Sequence, residues 1–258
     1  MLEIAKNTLK EFLRVKIVYI WIVLWVILIF SSYLLQTLVI NNWNRVIIDF
    51  SLTMIEMFGL LMTLFLGSYL LFNEFNKKTI LLILSRIKNK WHFIIGKFIW
   101  FSVILFIIYL ILTVAFVLAL IFHNLPVHYY YFEAILLSYL KILIVLAFVM
   151  FFSTFVNPFL ALIAALFLYV VSHSTSFMLF FSEYNKEKAL SPIVKETINI
   201  TYYVLPNFQD LSMKEYFLSP YLSNYTNYHF LLSVIFGSLF YLFVLLWLSC
   251  LIFEKKEF

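Results

Sequence analysis

Ionisable and hydroxyl side chains interrupt three of the long apolar stretches in this sequence. Glu56 lies in the second stretch, Lys141 in the fourth, and Ser172-His173-Ser174-Thr175-Ser176 in the fifth. Such groups are costly in an apolar environment, so each is a candidate for a transport pathway or for a contact between helices. We select Glu56, His173 and Ser174 as possible pathway or interface residues. Plainer explanations stay open: Glu56 near headgroups, Lys141 extending its amine to the membrane surface, and serines that pack helices.

The sequence offers little other chemistry. The one Gly-Lys pair, Gly96-Lys97, has no glycine five residues earlier and is not followed by serine or threonine, so no phosphate-binding loop is present. His123 and His128 flank a proline turn, which favours interfacial loop residues over metal ligands. Cys250 is the only cysteine, which excludes an intrachain disulfide. We predict no catalytic residue, no metal, no cofactor and no nucleic-acid partner for this chain.

Composition indicates the class of protein that contains these stretches. Of the 258 residues, 65% are hydrophobic and 12% are charged, and this charged share is about half that of an ordinary soluble domain. The apolar stretches recur along the whole chain and lack the strict alternation of a membrane β-barrel. Helices remain as the way to satisfy the backbone in lipid. We therefore predict an all-α integral membrane protein.

Six stretches have the length of roughly 20 apolar residues that crosses a bilayer as a helix. They cover residues 17–40, 51–73, 98–122, 134–156, 159–181 and 228–252. The fourth and fifth are separated only by Asn157 and Pro158. A single helix through both would be about 73 Å long, twice the bilayer thickness, so we predict a tight turn between two helices.

The distribution of lysine and arginine predicts the orientation of the spans. Twelve of these residues lie before the first span, between spans two and three, or after the last span, and five lie on the opposite side. Six spans place both termini on one side, and the positive-inside rule makes that side the cytoplasm. The Asn157-Pro158 turn is then also cytoplasmic.

Three segments lie outside the predicted spans. Residues 1–16 have apolar and charged positions at helical spacing, which predicts an interfacial helix or, alternatively, a cytoplasmic extension of the first span. Residues 74–97 surround a short apolar run with six basic residues, which favours a helix against the bilayer or a partner over a merely positive-inside loop. Residues 182–227 are expected to form a small extracytoplasmic helical cap, with helices opening at Pro192 and Ser212.

Short motifs in several of these segments resemble one transporter family. The segment between spans two and three contains Glu74, Thr79, Leu81-Leu82, Leu84-Ser85-Arg86, Lys90 and Gly96-Lys97. Other motifs are Phe152-Ser153-Thr154, Leu205-Pro206-Asn207-Phe208 and Phe253-Glu254-Lys255-Lys256. Together they resemble the permease subunits of type-2 ATP-binding-cassette (ABC) transporters. The Pro206-Asn207 pair is similar to a motif in the branch of this family that contains multicopper-enzyme maturation permeases. The chain departs from the family pattern at Lys78 and Ile87, where glycine and proline are usual.

The resemblance implies a permease homodimer above two separate ATPase subunits, which bind ATP and Mg. Closure of the ATPases would push on residues 74–90, the coupling helix of the family, and change access to a cavity at the dimer interface. The implied ATPase-docking residues are Glu74, Thr79, Leu82, Ser85, Arg86 and Lys90. The chain would then be half of an exporter in the inner (cytoplasmic) membrane of a prokaryote, in contact with membrane lipid.

Two other classes fit an apolar helical chain. One is a secondary transporter or channel driven by an ion gradient, in which Glu56, Lys141 and His173 carry the coupling. Six spans are few for that class, and the sequence shows no convincing inverted repeat. The other is a membrane assembly factor that transports nothing.

Overall fold

The computed structural model describes residues 43–76, 91–184, 192–212 and 228–255, together with Ile27. Within these ranges the chain contains helices and no strand, which confirms the all-α class for the described residues. The helices are α1 (Trp43–Asn76), α2 (Trp91–Phe122), α3 (Tyr129–Ser153), α4 (Pro158–Tyr184), α5 (Pro192–Val204) and α6 (Tyr228–Lys255). The predicted interfacial helix 1–16 and first span 17–40 lie outside the described residues, apart from Ile27.

Four of the described helices, α1, α2, α3 and α6, are long and apolar enough to cross a membrane. The apolar part of α4, Phe159–Thr175, is shorter. Helix bounds differ from the predicted spans: α1 begins at Trp43 instead of residue 51, and α2 begins at Trp91 instead of residue 98. The spans were defined by apolar residues alone, whereas a helix continues through polar flanks because its backbone hydrogen bonds do not depend on side-chain polarity.

A tight turn separates α3 from α4, as the length of the combined stretch predicts. Helix α3 ends at Ser153, three residues before the predicted end of the fourth span, and α4 begins at Pro158. The N–H groups of Thr154 and Phe155 bind the carbonyls of Phe151 and Phe152, three residues back, which tightens the chain into the turn. Helix α5 begins at Pro192, where the sequence predicts the start of a helix.

Helix α3 is the centre of the bundle. It packs against α1, α2, α4 and α6, and every residue from Lys141 to Met150 is buried. Hydroxyl groups join it to α2: Tyr109 and Ser138 lie 3.2 Å apart between their oxygens, and the Tyr139 hydroxyl donates to the Ser102 carbonyl at 2.9 Å. Because lipid offers no hydrophobic driving force between helices, close packing and such hydrogen bonds hold them together.

The outward surfaces of α2 and α6 are apolar. Large exposed side chains on these two helices include Phe106, Leu110, Val114, Phe236, Phe240, Phe243 and Trp247. A water-soluble protein rarely exposes so extensive an apolar surface. Exposed aromatic residues also begin two of the helices, Trp91 at the start of α2 and Tyr129 at the start of α3, as is typical of the two membrane interfaces. These surfaces are those of an integral membrane protein.

A glycine on α1 permits its close approach to α2. A Cβ atom at Gly59 would lie 2.7 Å from Cε2 of Tyr109, a buried ring that has little space to move. We expect Gly59→Ala to lower the stability of the bundle by about 1–3 kcal/mol through overpacking. Gly96→Ala is the matched control, since a Cβ there meets nothing within 4 Å. The midpoint of thermal unfolding (Tm), measured for the two purified variants in detergent, compares their stability. A Tm of Gly59→Ala equal to that of Gly96→Ala would contradict the expectation.

Candidate functional site

Two charged side chains of the bundle form a buried ion pair. The Nζ atom of Lys141 lies 2.7 Å from Oε1 of Glu56, and the side chains are 0% and 8% exposed. Glu56 belongs to α1 and Lys141 to α3, so the pair joins the two helices at the core of the fold. An isolated charge in such surroundings costs several kcal/mol, which explains why the two occur together. The proposed extension of Lys141 to the membrane surface is wrong, because its amine points into the bundle.

Two hydroxyl groups join this arrangement, which we name the ion-pair cluster (Glu56, Lys141, Tyr169 and Ser212). The Tyr169 hydroxyl on α4 donates to Oε1 of Glu56 at 2.8 Å. Lys141 Nζ donates to the Ser212 hydroxyl, which in turn donates to the Phe208 carbonyl at 3.0 Å. Both charges are therefore hydrogen-bonded as well as paired, the condition under which a buried ion pair is tolerated.

The segment that carries Ser212 is folded by its own side chains. In residues 205–212, named here the cap segment, the Asn207 amide nitrogen donates to Asp210 Oδ2 at 2.9 Å, and Asn207 Oδ1 accepts from the Gln209 N–H at 3.2 Å. The Phe208 ring is fully buried against Tyr169, with 5.6 Å between ring centroids. Its N–H donates to the Ser172 carbonyl at 3.2 Å. The cap segment is thus held to α4 and delivers Ser212 to Lys141.

Little free space lies beside the ion-pair cluster among the described residues. The void there, lined by Glu56, Ser138 and Ser212 among others, has a volume of about 10 Å³, which has room for about one water molecule at most. What the arrangement can do is tie three helices and the cap segment together through one pair of opposite charges.

Of the two candidate residues in the fifth predicted span, His173 lies beside the ion-pair cluster and Ser174 lies apart from it. The His173 ring stacks on Tyr169, with 6.1 Å between centroids and 12° between the planes. The Ser174 hydroxyl instead donates to the Val170 carbonyl of its own helix at 3.0 Å. The structure therefore brings Glu56 and His173 together through Tyr169 and leaves Ser174 outside the cluster.

Sequence reasoning missed Tyr169 and the role of Ser212. A signal for Tyr169 existed, because it lies four residues before His173 on the same helix face and a buried tyrosine hydroxyl needs a partner. Ser212 was interpreted only as the start of a helix, whereas its hydroxyl accepts from Lys141.

Most of the predicted ATPase-docking residues cannot be placed. Glu74 lies in the last turn of α1, and Thr79, Leu82, Ser85, Arg86 and Lys90 lie outside the described residues. Lys97, the last residue of the predicted cytoplasmic segment, lies within α2, is 1% exposed, and places its amine 4.9 Å from the centroid of the Phe93 ring.

The hydrogen bond from Tyr169 to Glu56 gives a measurable expectation. Tyr169→Phe removes only the hydroxyl, so the Glu56 carboxylate loses one of its hydrogen-bond donors. We expect the variant to lose about 1–2 kcal/mol of stability. Tyr203→Phe is the matched control, because Tyr203 is 84% exposed on α5. Thermal unfolding in detergent compares them, and an equal Tm for both variants would mean that this hydrogen bond contributes nothing.

Among the described residues, no three histidine, cysteine, aspartate or glutamate side chains converge as metal ligands. In the comparison with known families, residues 33–258 match a family model described as "Protein of unknown function (DUF2705)". A search of curated proteins finds no match.

Proposed function

The chain belongs to the DUF2705 family, and we propose that it is the membrane-spanning subunit of an ATP-driven transporter of the type-2 ABC class. We infer six spans in total, the described apolar helices together with residues 17–40. Both termini lie in the cytoplasm of a prokaryote, and the protein lies in the inner membrane. The motifs of residues 74–97 and the resemblance they carry support this proposal.

One structural observation supports it further. Helix α1 ends at Asn76, α2 begins at Trp91, and the two helices pack against each other. Residues 77–90 therefore connect two helices that pack against each other. A force applied to this segment by a cytoplasmic partner would act on both helices at once, as a coupling helix requires.

Helix α1 would also transmit such a force over a long distance. From Asn76 back to Glu56, α1 runs for about 30 Å at 1.5 Å per residue, so one continuous helix joins the proposed docking segment to the ion-pair cluster. Glu56 then connects α1 to α3 through Lys141. Movement of α1 at its cytoplasmic end is expected to reach the cap segment by this route.

The partners follow from the same proposal. Two ATPase subunits bind ATP and Mg beneath a pair of identical permeases, and the substrate crosses at the permease dimer interface. Export is the direction that we propose. This chain contributes no catalytic residue, and hydrolysis takes place in the separate subunits.

A second candidate function is favoured by the ion-pair cluster alone. Intramembrane ionisable residues are common in transporters driven by ion gradients, and Glu56 and Lys141 are charged groups buried within apolar helices. In that case turnover would depend on an ion gradient and not on an ATPase.

Purification of the tagged chain from membranes of its own host distinguishes the two candidates. We expect a soluble protein with a Gly-x-x-x-x-Gly-Lys-Ser/Thr loop to co-purify, and the eluate to hydrolyse ATP. Absence of such a protein from the eluate would contradict the ABC proposal. An eluate with neither such a protein nor ATP hydrolysis would favour the gradient-driven alternative.

A further inference from the structure

A cavity of about 320 Å³ lies between the cap segment and the first half of α6, apart from the ion-pair cluster. Its volume falls within the usual range of small-molecule pockets, about 300–1,000 Å³. The cap segment contributes Pro206, Asn207, Asp210 and Leu211. Helix α6 contributes Phe230, Ser233, Val234, Gly237, Ser238 and Tyr241. Apolar walls with a few polar groups are what a small-ligand site requires.

One carboxylate, Asp210, lines this cavity, and no ion pair joins it to a basic side chain of the described residues. Asp210 Oδ2 accepts from the Asn207 amide at 2.9 Å, and among the described residues no basic side chain lines the cavity. Burial raises the pKa of the Asp210 carboxyl above its ordinary value, and the Asn207 hydrogen bond opposes the rise. An ionised carboxylate in this position is incompletely compensated, so a positively charged ligand would be favoured there.

Two serines of the wall present acceptors to the cavity. The Ser233 hydroxyl donates to the Phe230 carbonyl at 2.7 Å, and the Ser238 hydroxyl donates to the Val234 carbonyl at 2.6 Å. Both therefore offer lone pairs to the cavity and no hydrogen atom. Together with the Asp210 carboxylate, these acceptors suit a ligand that carries positive charge.

Aromatic side chains complete the match. Phe230 and Tyr241 line the cavity from α6, and the faces of such rings attract ammonium groups as well as apolar surface. We propose that this cavity binds an organic monocation, with its ammonium group at Asp210 and its apolar body against Phe230 and Tyr241. This inference goes beyond the proposed function, because binding needs no ATPase and is measured on the chain alone.

Binding of benzyltrimethylammonium to the purified chain in zwitterionic lipid nanodiscs tests the proposal. Neopentylbenzene is the matched ligand, since it has the same shape with carbon in place of the charged nitrogen. We expect saturable calorimetric binding of the cation and no competition by the neutral hydrocarbon. Absence of saturable cation binding to folded wild-type protein, or equal competition by neopentylbenzene, would overturn the proposal.

Two variants locate the site. Asp210→Asn should weaken cation binding at least tenfold, whereas Asp49→Asn, which removes an exposed carboxylate on α1, should leave it unchanged. Gly237→Leu should abolish binding by filling the cavity, and a Cβ at Gly237 meets nothing within 4 Å. Wild-type affinity in either Asp210→Asn or Gly237→Leu, with Tm confirming that the variant is folded, would overturn the assignment.

Discussion

Replacing Lys141 with methionine is expected to destabilise the bundle by about 3–5 kcal/mol, the usual cost of removing one partner of a buried ion pair. Methionine is a flexible apolar side chain that fills space without charge. The Glu56 carboxylate then stays within the bundle without the amine that now lies 2.7 Å away. The Tm of the purified protein in detergent should fall by roughly 10 °C.

A double variant separates lost charge balance from lost packing. Lys141→Met combined with Glu56→Gln removes both charges, so most of the lost stability should return. Lys195→Met is the control for removal of a lysine, because Lys195 is exposed on α5 and surface changes usually stay within about 0.5 kcal/mol. If Lys141→Met melted together with Lys195→Met, the ion pair would not hold the helices.

Charge reversal in the segment between α1 and α2 is expected to separate the chain from its ATPase. The proposed docking surface is positive, so the ATPase surface that it meets is expected to be negative. Arg86→Glu with Lys90→Glu would then place two negative charges against that surface, and like charges across an interface cost several kcal/mol. Since each 1.4 kcal/mol is tenfold in affinity, binding should weaken by about 100-fold or more. The amount of ATPase that co-purifies, and the ATP turnover of the eluate, measure the effect.

The control for this reversal keeps the same change of charge and moves it elsewhere. Lys255→Glu with Lys256→Glu alters two basic residues at the end of the chain, also on the predicted cytoplasmic side. We expect this variant to retain its ATPase. Unchanged co-purification and turnover in the Arg86 and Lys90 variant, with a wild-type Tm, would show that the docking surface lies elsewhere.

The sequence was sufficient to predict most helices and to select the charged residues. Long apolar runs require helices in lipid. This argument predicted α2, α3, α4 and α6, and the majority of their ends lie within a few residues of the predicted positions. The cost of charge within a span likewise drew attention to Glu56 and Lys141. Both arguments depend on local properties of the chain, which a sequence displays directly.

The pairing within the cluster was beyond such arguments. Glu56 and Lys141 are 85 positions apart, and their contact depends on how α1 packs against α3. In a soluble protein, apolar periodicity would indicate the inward face of each helix. Here α2 has apolar residues both inside and outside, such as buried Leu105 and exposed Phe106, so periodicity gives little information about which faces meet.

The most direct test of the proposed function is a covalent one. A photo-crosslinking amino acid at the position of Leu82, within the proposed docking segment, should capture a soluble ATPase when membranes of the host are irradiated. The same amino acid at Trp247, which is exposed on the outward face of α6, should not capture it. Mass spectrometry of the adduct identifies the partner. The proposal predicts an ATPase bound at position 82 alone, whereas lipid adducts or no adduct at that position would contradict it.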